Sequence, residues 1–349
     1  MTTYRQVKGY NIKSVSSDPS NIKEGQIWYN SSTKVVKVAP NVEAFGSAPQ
    51  INTPRYGGAS GSLAPTDTAI GFCGYAPPVG PNYSGGRQQT EQYDGSSWSE
   101  VGDTNTGRYS CAGFGTSTAA IVVAGVNGPY PGSQMTNCEQ YNGTSWTEVS
   151  DLNQTGGQFC GIGTATAGIV AGRLHGPSPG NFHRIGNTEE WDGSSWTEVA
   201  DLNLARQETM GCGTQTAALV MGGQAPPVGT PSRTVNVEQW NGSSWTEIAN
   251  LNQARGAQYN QVGTTSAGSC VGGVNSPPEV SLNNFERYDG TSWSAGPTLV
   301  TARYSAFVSG DNQNSIIIAS GYNPASSPAT LATSEQLTKG ATTRTVDVS

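Results

Sequence analysis

One nine-residue phrase returns five times along this chain. Its copies are TEQYDGSSW (90–98), CEQYNGTSW (138–146), TEEWDGSSW (188–196), VEQWNGSSW (237–245) and FERYDGTSW (285–293). The tryptophans that end them, Trp98, Trp146, Trp196, Trp245 and Trp293, are separated by 48, 50, 49 and 48 residues. A period held this closely indicates a repeat architecture, in which each copy builds one unit and the units stack. The phrase therefore needs an architectural explanation before any copy is treated as a site.

Each period contains four short segments that are typical of strands. In the fourth period they are residues 208–215, 217–223, 235–240 and 245–250, separated by Gly, Asn and Pro. Strands of this length with such turns predict a four-stranded antiparallel sheet, whose strands we call A to D. One such sheet buries too little apolar surface alone, so neighbouring sheets are expected to stack around an axis as a β-propeller.

The repeated phrase is predicted to be the hairpin between strands C and D. Its Asn-Gly or Asp-Gly pair supplies the positive φ angles of a tight turn. Whether two or four residues close the loop, Tyr93 and Trp98 fall on the same sheet face, either diagonal or directly opposite. We expect the two rings to pack as a cross-strand pair that fills the space between sheets. The five tryptophans are therefore predicted to be structural.

The order of these features resembles a Kelch repeat. Strand B ends in Gly, strand C ends in Tyr or Trp followed by Asp or Asn and Gly, and a Trp stands five residues after that aromatic. An Arg follows some ten residues later, at Arg108, Arg206, Arg255 and Arg303. At the end of strand B the Gly-Gly doublet of the family is present only at 222–223 and 272–273; the other copies have Cys73-Gly74, Ala124-Gly125, Ala171-Gly172 and Ser320-Gly321 at this position. The resemblance runs from about residue 55 to the end and implies a Kelch-like propeller.

The sequence predicts an all-β fold of six four-stranded blades over residues 51–349, preceded by an N-terminal arm and hairpin over 1–50. Six A–B pairs support this count, ending at Gly74, Gly125, Gly172, Gly223, Gly273 and Gly321. The alternative is seven blades, because GQIWYNSSTKVVKVAP (25–40) also resembles a C–D hairpin and the last copy (333–349) lacks the Trp. The N-terminal hairpin then completes the last blade, with the tail strands displaced outward or in an incomplete seventh blade.

Charged residues recur at two fixed positions of the repeat. Strand C carries Glu91, Glu139, Glu189, Glu238, Glu286 and Glu335, and strand A is preceded by Arg55, Arg108, Arg206, Arg255 and Arg303, with Gly157 as the exception. Paired carboxylates can perform acid/base chemistry, but one near-identical Glu in every blade is what a symmetric structural role produces. We predict hydrogen bonds or ion pairs that tie blade to blade, a role to which Arg is suited.

Several chemistries lack the residues they need. The formal charge of −7 with no basic run argues against nucleic-acid binding. No GxSxG, HExxH or P-loop pattern occurs, and the only two histidines are His175 and His183, so we predict no catalytic residues, no cofactor and no metal site. The start has no hydrophobic signal region and the apolar runs are short, so we expect no export and no membrane insertion. The six Cys are expected to be buried free thiols.

The B–C loops differ most between copies and are the predicted binding surface. They share one face with the D–A connections, and their prolines lower the ordering cost of binding. Aromatic and basic residues there are candidate contacts for a glycan or a protein. These candidates are Tyr83, Arg87, Tyr130, Arg173, His175, Phe182, His183 and Arg184. The competing interpretation is that they are solvated loop residues that pack locally.

Three functional classes fit the sequence. The low-charge, Gly/Ser/Thr/Asn-rich repeats resemble Kelch-type proteins of tailed phages, and NIKEGQIWYNSSTKVVKV (21–38) is similar to a hairpin found ahead of repeats in phage fibre and decoration proteins. This resemblance implies a non-enzymatic virion protein of the tail fibre, tail appendage or capsid decoration. Its N-terminal region would contact other virion proteins, and its blades a host glycan or protein, with oligomers on the particle left open. The alternatives are a bacterial carbohydrate- or protein-binding propeller and, less favoured, a copper oxidase or glycan hydrolase.

Overall fold

Short strands and tight turns build the described chain. The computed structural model describes residues 12–19, 26–38, 41–76, 85–128, 133–176, 183–225, 232–276, 278–341 and 344–346. No helix occurs within these ranges, and none therefore has the length and hydrophobicity needed to cross a bilayer. The chain divides into two compact units, Met1–Ala44 with Thr338–Ser349, and Phe45–Leu337.

Six four-stranded sheets follow the repeat within the described residues, with strands numbered in chain order. Sheet 1 contains β5 (Ala59–Ser60), β6 (Ile70–Phe72), β7 (Thr90–Tyr93) and β8 (Trp98–Glu100), and sheet 2 contains β9 (Ala112–Gly115), β10 (Ala120–Asn127), β11 (Ser133–Tyr141) and β12 (Trp146–Val149). Sheet 3 contains β13 (Cys160–Thr164), β14 (Ala167–His175), β15 (His183–Trp191) and β16 (Trp196–Val199), and sheet 4 contains β17 (Met210–Thr214), β18 (Ala217–Met221), β21 (Val237–Trp240) and β22 (Trp245–Glu247). Sheet 5 contains β23 (Gly263–Thr264), β24 (Ala267–Val271), β27 (Phe285–Tyr288) and β28 (Trp293–Ala295), and sheet 6 contains β29 (Phe307–Asn312), β30 (Ser315–Ala319), β31 (Ser334–Ala341) and β4 (Asn41–Ala48). Two short pairs, β19 (Gln224–Ala225) with β20 (Ser232–Arg233) and β25 (Val274–Asn275) with β26 (Val280–Ser281), extend the fourth and fifth B–C connections. We number the sheets 1 to 6 in this order.

The hydrophobic core is divided into six clusters, one between each pair of neighbouring sheets. The first-listed strands of the sheets contact one another in the cyclic order β5, β9, β13, β17, β23, β29 and back to β5. The cluster between sheets 1 and 2, for example, joins Phe72 to Tyr141 and Trp146, and the cluster between sheets 6 and 1 joins Phe307 to Trp98. Sheets packed face to face around a closed cycle form a blade-based β-propeller, which confirms the predicted fold class.

The paired aromatic residues lie directly opposite each other across strands C and D. Tyr93 faces Trp98 in the β7–β8 register, and the five ring pairs have centroid separations from 5.1 to 5.3 Å. Each tryptophan is at least 93 % buried, and its indole N–H donates to the neighbouring sheet or the segment leading from it, as Trp196 Nε1 does to the Ser150 carbonyl at 3.2 Å. The rings therefore act as spacers between blades.

Four residues close each C–D hairpin. In the first copy the Asp94 carboxylate accepts hydrogen bonds from the backbone N–H groups of Ser96 and Ser97, both at 2.8 Å. These bonds, with those from the serine hydroxyls, lower the pKa of Asp94 to about 2. Positive φ is needed only at Gly95, where φ is 91°, and not at Asp94. The turn is therefore an Asx-capped loop rather than the two-residue turn that the Asp-Gly pair also permits.

The sixth sheet is completed by β4, not by the predicted hairpin of residues 25–40. The C strand of this sheet is β31, and β4 lies beside it at the sheet edge. Phe45 of β4 and Leu337 of β31 enter the cluster between sheets 5 and 6, where Phe45 packs edge-on against Phe285 at 5.7 Å. Phe45 thus supplies the aromatic ring that the last copy of the repeat lacks.

The predicted hairpin instead belongs to a small sheet of its own. It consists of β2 (Ile27–Asn30) and β3 (Val35–Val38), with β1 (Lys13–Val15) parallel to β2 and β32 (Arg344–Val346) antiparallel to β3. The Asp18 carboxylate accepts from Lys37 at 2.6 Å, from Asn30 at 2.8 Å and from the Trp28 indole at 3.1 Å. These bonds hold the pKa of Asp18 at about 2.

A closed ring of backbone hydrogen bonds links the six sheets at the axis. One residue per sheet takes part, two positions after the repeated Arg or its equivalent, and each N–H donates to the carbonyl of the preceding sheet over 2.5 to 3.0 Å. These residues are Gly57, Ser110, Gln158, Glu208, Ala257 and Ser305. All six have positive φ, from 51° to 68°, and five are not glycine. Because positive φ costs free energy in such residues, the ring must be held by the surrounding sheets.

Candidate functional site

The repeated Arg and Glu residues form buried ties rather than a reactive centre. In sheet 2, Arg108 Nη2 donates to Glu139 Oε1 at 2.5 Å, and the other Glu139 oxygen accepts from the Asn105 backbone N–H at 2.6 Å. Asn105 Nδ2 also donates to the Trp146 carbonyl at 3.1 Å. Glu139 therefore anchors the connection that arrives from sheet 1, and the same pattern recurs around the ring. Each oxygen of Glu139 accepts two hydrogen bonds, which suits a structural role.

Sheet 3 reverses the positions of Arg and Gly. The residue equivalent to Arg108 is Gly156, because the positive-φ residue two positions later is Gln158; Gly157, the predicted exception, is one residue off. In compensation, Arg173 stands where Gly125, Gly223 and their equivalents occur, and its guanidinium lies 3.1 Å from Glu189. A Cβ atom on Gly156 would meet Arg173 Cδ at 2.6 Å. Sheet 3 thus keeps the Arg–Glu ion pair, but its guanidinium comes from strand B and not from the segment before strand A.

The predicted rim residues are dispersed. Arg173 is fully buried in the tie just described, which is incompatible with its prediction as a rim contact. His175 lies opposite His183 in the β14–β15 hairpin, with its Nδ1 2.9 Å from the Thr155 carbonyl; His183 is exposed. Arg184 is half-buried and donates to Gln224 Oε1 at 2.6 Å, and Arg87 is half-buried beside Arg108. Tyr83, Tyr130 and Phe182 lie outside the described residues.

A cavity of about 480 Å³ lies on the propeller axis and is the best candidate site. All six residues of the backbone ring line it, together with residues that follow the repeated Arg, residues of the B–C connections, and Tyr259. Its size falls within the range of small-molecule sites. We call it the axial cavity.

Tyrosines form a continuous arc along one side of the axial cavity. The rings contact one another in the order Tyr109, Tyr75, Tyr56, Tyr322 and Tyr304, with centroid separations of 5.5, 5.3, 4.7 and 5.5 Å. All but Tyr322 line the cavity itself. These residues come from sheets 6, 1 and 2. In these sheets the residue after the repeated Arg forms an isolated β-bridge with the first residue of the B–C loop, as Tyr56 does with Tyr75. The arc presents apolar ring faces with polar tips.

Charged residues occupy the other side of the cavity. Arg233 donates to Glu208 Oε2 from Nε at 3.1 Å and from Nη2 at 2.6 Å, and its Nη2 lies 3.3 Å from Glu279 Oε1. Burial raises the pKa of Glu208 above its ordinary value, although Arg233 opposes that shift. Sheets 4 and 5 supply these groups, and sheet 3 adds Gln158. The cavity is therefore aromatic on one side and polar on the other.

The segment Gln258–Val262 plugs the channel beneath the cavity. The inner strand of sheet 5, β23, is two residues long, as is β5 of sheet 1, and the residues that precede β23 contact other sheets near the axis. Asn260 is 98 % buried, and its Nδ2 donates to the Gly113 carbonyl at 2.6 Å and to the Gly161 carbonyl at 3.2 Å. Tyr259 lines the cavity, and burial raises the pKa of its phenol. Among the described residues, Tyr259 therefore closes the base of the cavity, and Arg233 and Glu279 place part of its lining on the B–C connections.

Replacing Asn260 with Ala is expected to lower the free energy of unfolding by about 1–3 kcal/mol, because two buried carbonyls lose their donor. Urea denaturation followed by fluorescence measures this directly. The Asn314→Ala variant, at an exposed turn, is the matched control and should change stability by less than about 0.5 kcal/mol. Equal midpoints for the two variants would show that the plug does not hold the channel.

The sequence contained a signal for this site that the rim prediction missed. Tyr follows the repeated Arg only at Tyr56, Tyr109 and Tyr304, and Tyr follows the strand-B Gly only at Tyr75 and Tyr322. At these positions the tyrosines depart from the repeated sequence, and closure of the propeller brings the positions together at the axis. The prediction instead favoured the long loop centres, because variability there is more conspicuous than a substitution next to a repeated residue.

Comparison with known proteins supports the fold alone. No family model matches the chain, and no curated protein matches it. Among solved structures, 314 chains match, which include the protein titled "Structure of YjhT". It superposes with a TM-score of 0.65 at 12 % identity, covering 84 % of this chain and 99 % of that one. Since propellers carry many unrelated functions, this similarity identifies a β-propeller protein and nothing narrower.

Proposed function

We propose that this protein is a non-enzymatic adhesive component of a tailed-phage virion, located in a tail fibre, tail appendage or capsid decoration. The observation that carries the adhesive part of the proposal is the axial cavity, which is lined by the hydrogen-bonded backbone ring and by residues of the B–C connections. Preformed cavities bind with little ordering cost. The virion part is supported by the resemblance of residues 21–38 and of the near-identical, low-charge repeats to phage proteins.

The buried Arg–Glu ties support a binding role over a catalytic one. Each repeated Glu is engaged by an Arg and by backbone N–H groups, so these carboxylates are committed to the scaffold. In the cavity, Glu208 and Glu279 share the guanidinium of Arg233. A site held in this way favours recognition, in which a rigid surface presents side chains to a ligand.

Mass spectrometry of purified particles tests the assignment to the virion. We expect peptides of this chain at a stoichiometry comparable to other minor structural proteins, and we expect the pure protein to compete with particles for adsorption to host cells. Absence of the chain from particles, together with glycan or protein binding by the pure chain, would favour a bacterial binding propeller instead. Turnover of a glycan or copper-dependent oxidation by the pure protein would contradict the non-enzymatic assignment.

A further inference from the structure

We propose that the axial cavity binds one uncharged pyranose unit of a surface glycan, with the C–H face of the sugar on the tyrosine arc and its hydroxyl groups on Gln158 and Arg233. This inference rests on the proposed adhesive function and names the ligand class of the same site. It differs from the rim prediction, because the contacts come from the axis and not from the loop centres.

The two sides of the cavity match the two sides of a pyranose ring. One face of such a ring presents aliphatic C–H groups, while hydroxyl groups project around its edge. The arc that includes Tyr56, Tyr75 and Tyr109 offers a broad aromatic surface to the C–H face. Gln158, Arg233 and Glu208, on the other side of the cavity, offer hydrogen-bond donors and acceptors to the hydroxyl groups at the edge of the ring.

Two buried polar atoms on the hydroxyl side have no hydrogen-bond partner within the part of the chain that the structure describes. Arg233 is 93 % buried, and its Nη1 makes no hydrogen bond to the described residues; the same holds for Gln158 Oε1. A buried polar atom without a partner costs free energy that a bound ligand recovers. A hydroxyl group both accepts and donates, so one sugar edge can satisfy the guanidinium donor and the amide acceptor.

The charge balance favours an uncharged sugar over an acidic one. Arg233 already engages two carboxylates, Glu208 at 2.6 Å and Glu279 at 3.3 Å. An anionic ligand would have to approach both carboxylates with only one guanidinium among the cavity-lining residues to oppose them. A hydroxyl group instead uses the remaining Nη1 without disturbing either ion pair.

The shape of the cavity favours one terminal unit rather than a threaded chain. Tyr259 lines the base and Asn260 fills the channel beneath it, so a glycan chain cannot pass through the base of the cavity. The backbone ring fixes the wall around it, which leaves few groups to be ordered on binding. A bound unit would therefore leave its linkage to the rest of the glycan pointing out of the cavity.

Saturation-transfer NMR with the purified full chain tests the inference. The probes are methyl glycosides of glucose, galactose, mannose and N-acetylglucosamine, with glucuronic and N-acetylneuraminic acid glycosides as charged comparators. We expect saturation of ring C–H protons for at least one uncharged glycoside, and binding at least about tenfold weaker for the charged comparators. Tighter binding of an acidic sugar, or of a peptide from a control library, would overturn the proposal.

Point variants distinguish a loss of binding at the cavity from a loss of folding. Tyr56→Ala is expected to weaken binding about tenfold or more, whereas Tyr56→Phe, which keeps the ring, should stay within about threefold of wild type. Tyr29→Ala, in the small sheet, should leave binding unchanged. Unaltered melting curves must accompany these results. Equal binding by Tyr56→Ala and wild type would overturn the cavity assignment. If no sugar binds while the pure chain still blocks particle adsorption, the ligand class fails but the adhesive function stands.

Discussion

Exchanging Gly156 and Arg173 in a single variant will restore most of the stability that either substitution alone removes. Arg173→Gly leaves the Glu189 carboxylate buried without its guanidinium, which should cost about 3–5 kcal/mol of unfolding free energy. Gly156→Arg alone forces a second guanidinium into the space that Arg173 fills, where even a Cβ atom lies 2.6 Å from Arg173 Cδ. The double variant recreates the arrangement of Arg108 and Gly125 in sheet 2.

A double-mutant cycle in urea measures this exchange. We expect the double variant to lie within about 1 kcal/mol of wild type, so that the coupling energy exceeds about 2 kcal/mol. Arg184→Gly serves as the control, since Arg184 is half-buried and donates a hydrogen bond to Gln224 Oε1; its loss should cost about 1 kcal/mol. A double variant as unstable as the sum of its two single substitutions would show that the two positions are not interchangeable.

Replacing Trp196 with Ala will lower the free energy of unfolding by about 3–5 kcal/mol. The indole is 93 % buried and packs against Trp191 at 5.3 Å and against Phe114 of sheet 2 at 6.4 Å. Its removal opens a cavity between two blades and leaves the Ser150 carbonyl without its donor. The loss should appear as a lower denaturation midpoint with an unchanged slope.

Two further variants locate the origin of that effect. Trp196→Phe keeps an aromatic ring in the wedge but removes the indole N–H, so its loss should be clearly smaller than that of Ala. Val300→Ala, at a side chain that is 72 % exposed, should change stability by less than about 0.5 kcal/mol. If Trp196→Ala were as stable as Val300→Ala, the spacer role of the tryptophans would be wrong.

Local sequence patterns predicted the repeated part of this fold well. In the fourth period the segments 208–215, 217–223, 235–240 and 245–250 contain β17, β18, β21 and β22. The alternation of Gly with apolar residues and the Asp/Asn-Gly turns are local properties, so they act alike in every copy. The six cysteines are buried free thiols, as their apolar surroundings predict. Burial raises the pKa of Cys138, Cys212 and Cys270 to about 12.

The predictions that went wrong concern residues whose partners are distant in sequence. Arg173 looked like a loop residue because nothing nearby in the chain reveals that Glu189 lacks its usual Arg. The plug at Asn260 contacts Gly113 and Gly161, which lie 147 and 99 residues away. Only closure of the ring brings such residues together, and no periodic pattern encodes it.

The sequence by itself determined the repeating unit, its four strands, the aromatic pair and the recurrent Arg and Glu, because each depends on spacing within one period. The tertiary structure decided which strand completes the sixth sheet, how Gly156 and Arg173 exchange roles, and where the departures from the repeat converge. The physical reason is that residues at equivalent positions of successive copies meet only at the axis. Five tyrosines scattered from 56 to 322 therefore form one aromatic arc there, and four of them line the cavity.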